Sequence, residues 1–102
     1  MSQQTMSLLR ECIPLFTVLS DENRHKIMKL LFEGGDMNVN QLTEQLHLSR
    51  PAVSHHLKIM LQANTVTVEQ IGKERFYRIA MRPELEKLKA LVASMENECL
   101  KS

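Results

Sequence analysis

The chain has 102 residues, with 3 glycines, 3 prolines, no tryptophan and a net charge of +1. That length gives one small domain with one modest core, and that charge by itself does not point to nucleic acid. Its two cysteines are too few for a disulfide framework,. The start, MSQQTMS, is not a basic leader followed by an apolar run, and nothing approaches the ~18 apolar residues of a membrane span,. A mostly α, cytoplasmic chain with reduced thiols and no membrane partner is therefore expected.

Residues 1–6 are polar and expected to fray. Leu8, Leu9, Cys12, Ile13, Leu15, Phe16 and Leu19 then recur at helical spacing,. Pro14 falls inside that run and predicts a kink or a break, or the first residue of a short helix 14–19. Asp21 reads as an N-cap, with Glu22 in the first turn where a carboxylate suits the helix dipole. This second helix should run to about Glu33, bury Ile27, Leu30 and Leu31, and end at Gly34-Gly35. Asn38, with Gln41 three residues on, makes a capping-box pattern for a third.

Residues 39–63 read as two helices joined by a tight turn, and the rest of the chain is organised around them. Leu42 and Leu46 share one face of the first, and His47-Leu48-Ser49 is the break. Ser49 caps the second, and Pro51 sits in its first turn, where a missing N–H costs little. Val53, Leu57 and Met60, with Leu61, form one apolar stripe. Ser54, His55, Lys58 and Gln62 point away from it, and none is acidic. An apolar back with a short, hydrogen-bonding, non-acidic front is what a DNA major groove can accept.

Asn64 is expected in the left-handed conformation that closes this helix. Thr65–Gln70 alternates and is rich in β-branched residues, Ile71-Gly72-Lys73-Glu74 is a turn, and Arg75–Ile79 is the returning strand. The hairpin, residues 65–80, makes a wing. Residues 47–82 set six basic side chains (Arg50, Lys58, Lys73, Arg75, Arg78, Arg82) against Glu69 and Glu74, for +4, while residues 1–46 carry −2 and 83–102 carry −1. The basic excess thus falls on the segment assigned to DNA. Arg50 could reach guanine or phosphate, Lys58 phosphate, and Lys73 and Arg75 the flanking backbone or minor groove. His56, about 100° around the helix from His55, is assigned a packed or capping role.

Pro83 opens the last helix, about 84–100. Leu85, Leu88, Val92, Met95 and Cys99 are spaced as a heptad seam, widened by Leu91,. Such a seam is a dimerisation element. The expected fold is mostly α with a β-hairpin wing, a winged helix-turn-helix in a single domain over 1–102.

Three strings, LSDENRHKIMKLL, VNQLTEQLHLSRPAVSHHLKIM and the hairpin ending RFYRI, resemble the ArsR/SmtB winged helix-turn-helix repressors over about residues 14–80. The resemblance implies a homodimer built from the first and last helices, residues 1–19 and 83–102, with Leu8, Cys12, Leu85, Leu88, Val92 and Met95 at the interface. It implies a palindromic double-stranded DNA operator and repression by blocking transcription. The family's base-reading positions carry over to Ser54 and His55, and the one before them to Arg50, with Ser49, Lys58, Lys73 and Arg75 completing the DNA-binding set. Pro51 departs from the family's polar residue there, which removes one hydrogen bond to DNA.

Many members of that family sense metals. Here the positions of a common cysteine pair hold Asn38 and Asn40, which supply no thiolate, and Met81–Asn97 contains no Asp or His for a second common site. No metal and no cofactor is expected. The remaining sensing candidate is thiol chemistry between Cys12 and Cys99, brought together by the dimer helices; inert buried thiols are the plainer reading. No phosphate-binding glycine loop or nucleophile–base arrangement indicates an enzyme. A winged-helix protein-interaction module is the alternative to a DNA-binding regulator.

Overall fold

A computed structural model describes residues 1–101. Four of its helices begin on a side chain that meets the N–H groups left unpaired in the first turn. Ser2 caps α1 (Gln3–Leu19), Asp21 caps α2 (Glu22–Gly34), Asn38 caps α3 (Val39–Gln45) and Ser49 caps α4 (Arg50–Gln62). The Asn38–Gln41 capping box is formed in both directions, at 2.8 and 2.9 Å,. Gly35, with φ 74°, follows α2, and Asn64, with φ 58°, follows α4 as expected,.

Residues 3–6 are helical rather than frayed, and α1 neither breaks nor restarts at Pro14 but continues through it. Pro14 lies on the exposed side of α1, where a carbonyl that loses its partner can turn to water,.

The wing is β2 (Val66–Ile71) and β3 (Glu74–Ile79), an antiparallel pair in which Ile71 faces Glu74 across the turn. Gly72, with φ 64°, supplies the positive φ that the first position of a two-residue hairpin turn needs,. The first strand begins one residue later than its alternation suggests, because Thr65 is drawn into the end of α4. Its amide N–H and its hydroxyl both donate to the carbonyl of Met60, at 3.0 and 2.9 Å. The hairpin is not alone. Met37 and Asn38 form β1, paired with Tyr77 and Phe76 of β3, so the sheet order is β1-β3-β2.

The core lies between α1, α2, α3, α4 and the sheet. Val18, Ile27, Leu42, Val53, Leu57 and Met60 have no accessible surface, and Leu31, Val66 and Tyr77 close around them. Burying each large side chain of this kind stabilises the fold by about 1.5–3 kcal/mol. The apolar stripe of α4 is thereby fixed inward, with Leu61 half-buried at its margin, and its polar side is fixed outward. Leu30 is only half-buried.

The last helix, α5 (Arg82–Lys101), packs antiparallel against α1. The Thr5 and Ser94 hydroxyls meet, and the Ser2 amide meets the Glu98 carboxylate. Leu91 is buried against α1, so it belongs to this intramolecular contact and does not widen the open seam.

Candidate nucleic-acid interface

The recognition helix α4 is held at its start by Ser49, whose hydroxyl accepts from the Ala52 N–H at 3.3 Å. Ser54, His55, Lys58 and Gln62 are all exposed on its outer side. Between this helix and the wing lies an open cleft of about 580 Å³. Arg50, Ser54 and Lys58 line it from α4, and Lys73, Arg75 and Tyr77 from the wing. Five of the seven residues assigned to DNA from the sequence therefore meet in one place. Ser49 and His55 do not line the cleft. Ser49 is occupied as a cap, and His55 lies on the neighbouring exposed strip of α4, its ring 5.8 Å from that of His56.

Several side chains that the sequence reading gave no DNA role shape the cleft. Asn40 accepts from Arg50 Nε at 2.9 Å and so directs that guanidinium. Asn38 donates through Nδ2 to the Glu74 carboxylate at 2.5 Å, tying the wing to the start of α3. Glu74 is the cleft's one carboxylate, and this bond turns it toward Asn38. Arg75 lies over the Tyr77 ring, 6.0 Å from its centroid,.

Arg78 is different from the other basic residues of the segment. It makes a two-pronged contact with Asp36, at 2.9 and 2.7 Å,. Through that hydrogen bond the Asp36 carboxyl is held below its ordinary pKa and the Arg78 guanidinium above its own. One unit of the +4 in residues 47–82 is therefore cancelled from outside the segment, which no local charge count could show.

His56 faces inward, as expected. Its Nδ1 lies 3.2 Å from Nη1 of Arg24, a buried arginine whose Nη2 and Nε also donate to the carbonyls of Thr17 (2.7 Å) and Val18 (3.2 Å). Residue type alone places an arginine at the surface, so this buried contact had no sequence signal.

The residues expected at a dimer contact divide. Leu85, Val92 and Met95 stand exposed along α5, and Leu8 and Leu88 are half-buried. Cys12 is wholly buried within the protomer and has no surface left to offer a second copy. Ile13 and Phe16 of α1 are exposed instead. Within one chain the two thiols are not brought together. Cys12 lies level with Glu84 and Lys87, and Cys99 at the other end of α5, about 12 residues or ~18 Å along the helix axis,. Burial, with the charges of Glu11 and Glu84, pushes the Cys12 thiol above its ordinary pKa despite Lys87, the opposite of a reactive thiolate,. Among the described residues no group of three or more His, Cys, Asp or Glu side chains is placed to hold a metal ion.

A sequence pattern described as "Bacterial regulatory protein, arsR family" matches residues 21–68, from the cap of α2 into β2. The transcriptional repressor SdpR of Bacillus subtilis (strain 168) is 37% identical over 65 residues, covering 64% of this chain and 71% of that protein. The arsenical resistance operon repressor of the same organism is 36% identical over 77 residues, covering 76% and 73%. The chain belongs to the arsR family of bacterial regulatory proteins. Solved structures carry this ArsR-family likeness over the flanking helices as well. An ArsR-like transcriptional regulator from Rhodococcus sp. RHA1 superposes with a TM-score of 0.79 at 28% identity, covering 99% of this chain and 88% of that one. The homodimeric winged helix-turn-helix DNA-binding domain of a Mycobacterium bovis protein shares the fold, with a TM-score of 0.71 at 24% identity and coverage of 99% and 92%.

Proposed function

We propose that this ArsR-family chain is a homodimeric transcriptional repressor that acts in the cytoplasm by occupying a palindromic operator. The cleft between α4 and the wing carries the reading, because it gathers cationic and hydrogen-bonding side chains from two separate elements onto one surface. Ser54 and His55 read base edges in the major groove, and Arg50 reads guanine or holds a phosphate. Lys58, Lys73 and Arg75 hold phosphates on either side, which supplies affinity and salt dependence without sequence preference. Ser49 keeps the start of α4 in place.

The second copy is supported by the exposed apolar side chains of α1 and α5. Ile13, Phe16, Leu85, Val92 and Met95 lie in water in the single chain, and a two-fold contact would cover them,. Two recognition helices so related would enter successive major grooves, about one DNA turn (~34 Å) apart.

Selection of bound duplexes from random DNA by the full chain at fixed salt tests the reading. The expected product is a two-fold symmetric motif with half-site centres about 10 base pairs apart. A protein-interaction module would enrich no motif, and a monomeric reader would enrich a single half-site.

A further inference from the structure

We propose that Arg24 and His56 are positioning residues for DNA binding, which together tie the recognition helix to the end of the dimer-forming helix α1. The inference rests on the DNA-binding reading above and concerns the contact behind the helix rather than the side chains that face the groove.

Arg24 sits in the first turn of α2 and spreads its guanidinium over three elements. Two of its nitrogens donate to the Thr17 and Val18 carbonyls, which lie in the last turn of α1, where intrahelical partners run out,. The third, Nη1, reaches His56 Nδ1 at 3.2 Å and lies 3.9 Å from Asp21 Oδ2. A guanidinium is always charged and has no acceptor, so Nδ1 must be the accepting nitrogen and the imidazole is the neutral form with its proton on Nε2.

The place of this bond on α4 gives it leverage. His56 follows Ser54 and His55 on the same helical turn, on the side opposite Ser54 and about 100° around from His55. Among the described residues no other side-chain hydrogen bond joins α4 to α1 or α2. Apolar packing fills the rest of that contact, and such packing is non-directional. The apolar stripe sets which side of α4 faces the core, and the Arg24–His56 bond narrows the rotation within that limit and so refines where Ser54 and His55 aim. The same guanidinium holds the end of α1, so the dimer helix and the reading helix share one anchor.

Protonating His56 would undo the anchor, because Nδ1 would lose its lone pair and an imidazolium would face a guanidinium. The charged and titratable groups that act on the ring are Arg24 of α2, Asp21 at that helix's cap and His55 from α4 itself. Burial, with Arg24 and His55, holds the imidazole below its ordinary pKa of 6.5, and only Asp21 opposes this. The anchored state binds a proton less readily than a released His56 does. It is fully favoured above that ordinary value and loses ground as pH falls below it. A non-titrating residue at position 56 separates the effect of this ring from every other pH dependence of DNA binding.

The test is fluorescence anisotropy with the selected duplex at fixed salt, from pH about 7.5 to about 5.5, on the full chain and its His56→Ala and His56→Asn variants. Asparagine places an amide oxygen near the position of Nδ1 but does not titrate. At the upper pH, His56→Ala is expected to bind about tenfold more weakly, because a buried donor is left unmet, and His56→Asn to recover to within about threefold. The ratio of wild-type to His56→Asn affinity should fall on acidification. Thermal melts followed by circular dichroism show whether His56→Ala is folded; if it is not, the wild-type to His56→Asn ratio decides alone. The inference is overturned if folded His56→Ala binds like wild type, if His56→Asn is as weak as His56→Ala, or if that ratio is flat across the range. Should the wild type show no salt-dependent DNA binding at all, the proposed function falls and takes this inference with it.

Discussion

The face made by α4 and the wing and the face made by α1 and α5 are both open to solvent, but they stand differently toward water. On the first, Arg50, Ser54, Lys58, Lys73 and Arg75 are hydrophilic groups already well solvated, and they attract a partner only by charge and hydrogen bonding. On the second, Ile13, Phe16, Val92 and Met95 gain by leaving water,. Binding at the first face should therefore weaken as salt rises, whereas association at the second should depend on protein concentration and little on salt. Under the proposed function these faces would meet two kinds of partner, and Arg24 stands between them.

The largest expected effect comes from placing charge on the apolar face. Val92→Glu with Met95→Glu should turn a dimer into a folded monomer in sedimentation velocity. Operator affinity should then fall by about 100-fold or more, because each half-site is bound alone. A double variant that stays dimeric would move the contact elsewhere and dissolve the comparison.

A smaller effect is expected from thinning the cationic face. Arg50→Ala and Lys58→Ala should each weaken DNA binding and lower the slope of log affinity against log salt by about 1, with sedimentation unchanged. An unaltered slope would remove that residue from the phosphate contacts.

Asp21 belongs to the region where the two faces meet. Its carboxylate accepts from the Asn23 N–H at 2.8 Å and the Arg24 N–H at 3.2 Å, and Asp21→Ala should cost about 1 kcal/mol in urea unfolding at neutral pH,. Partial burial raises the carboxyl's pKa, but those two N–H groups and the charge of Arg24 outweigh it, so the value lies below the ordinary 3.8. Its stabilisation is complete above that ordinary value and is lost as pH falls through the depressed one. The wild type and Asp21→Ala should therefore converge in strong acid, and a constant gap would contradict the cap.

The smallest effect sharpens the comparison by exception. Arg78→Ala should leave the salt slope unchanged although it removes a basic residue of the wing, because Asp36 already holds that guanidinium. A drop like that of Lys58→Ala would show that DNA displaces Asp36.

What the sequence made legible was chemistry local to a few residues. Asp21, Asn38 and Ser49 announce helix starts because a cap needs only its own next three residues. Val53, Leu57 and Met60 announce the buried side of α4 because one helical period orders them. The features that escaped depend on residues far apart in the chain. The two-residue strand Met37–Asn38 has no pattern of its own and exists because β3 lies beside it. Arg24 and Arg78 look like ordinary surface charges until Thr17, His56 and Asp36 are brought to them. Pro14 carried a local signal that misled, since an exposed position let α1 tolerate it. The apolar spacing of α5 was visible, but it could not tell which residues already serve α1, and Leu91 and Cys12 proved to be on the intramolecular side.

The central claim is that the outer side of α4 reads DNA through Ser54 and His55, and it is tested most directly by the Ser54→Ala, His55→Ala double variant on the selected operator at fixed salt. Both side chains are exposed, so the variant should melt like the wild type. It should bind the operator no better than a random duplex, while keeping the salt-dependent binding that Lys58, Lys73 and Arg75 provide. Operator affinity equal to the wild type would contradict the account.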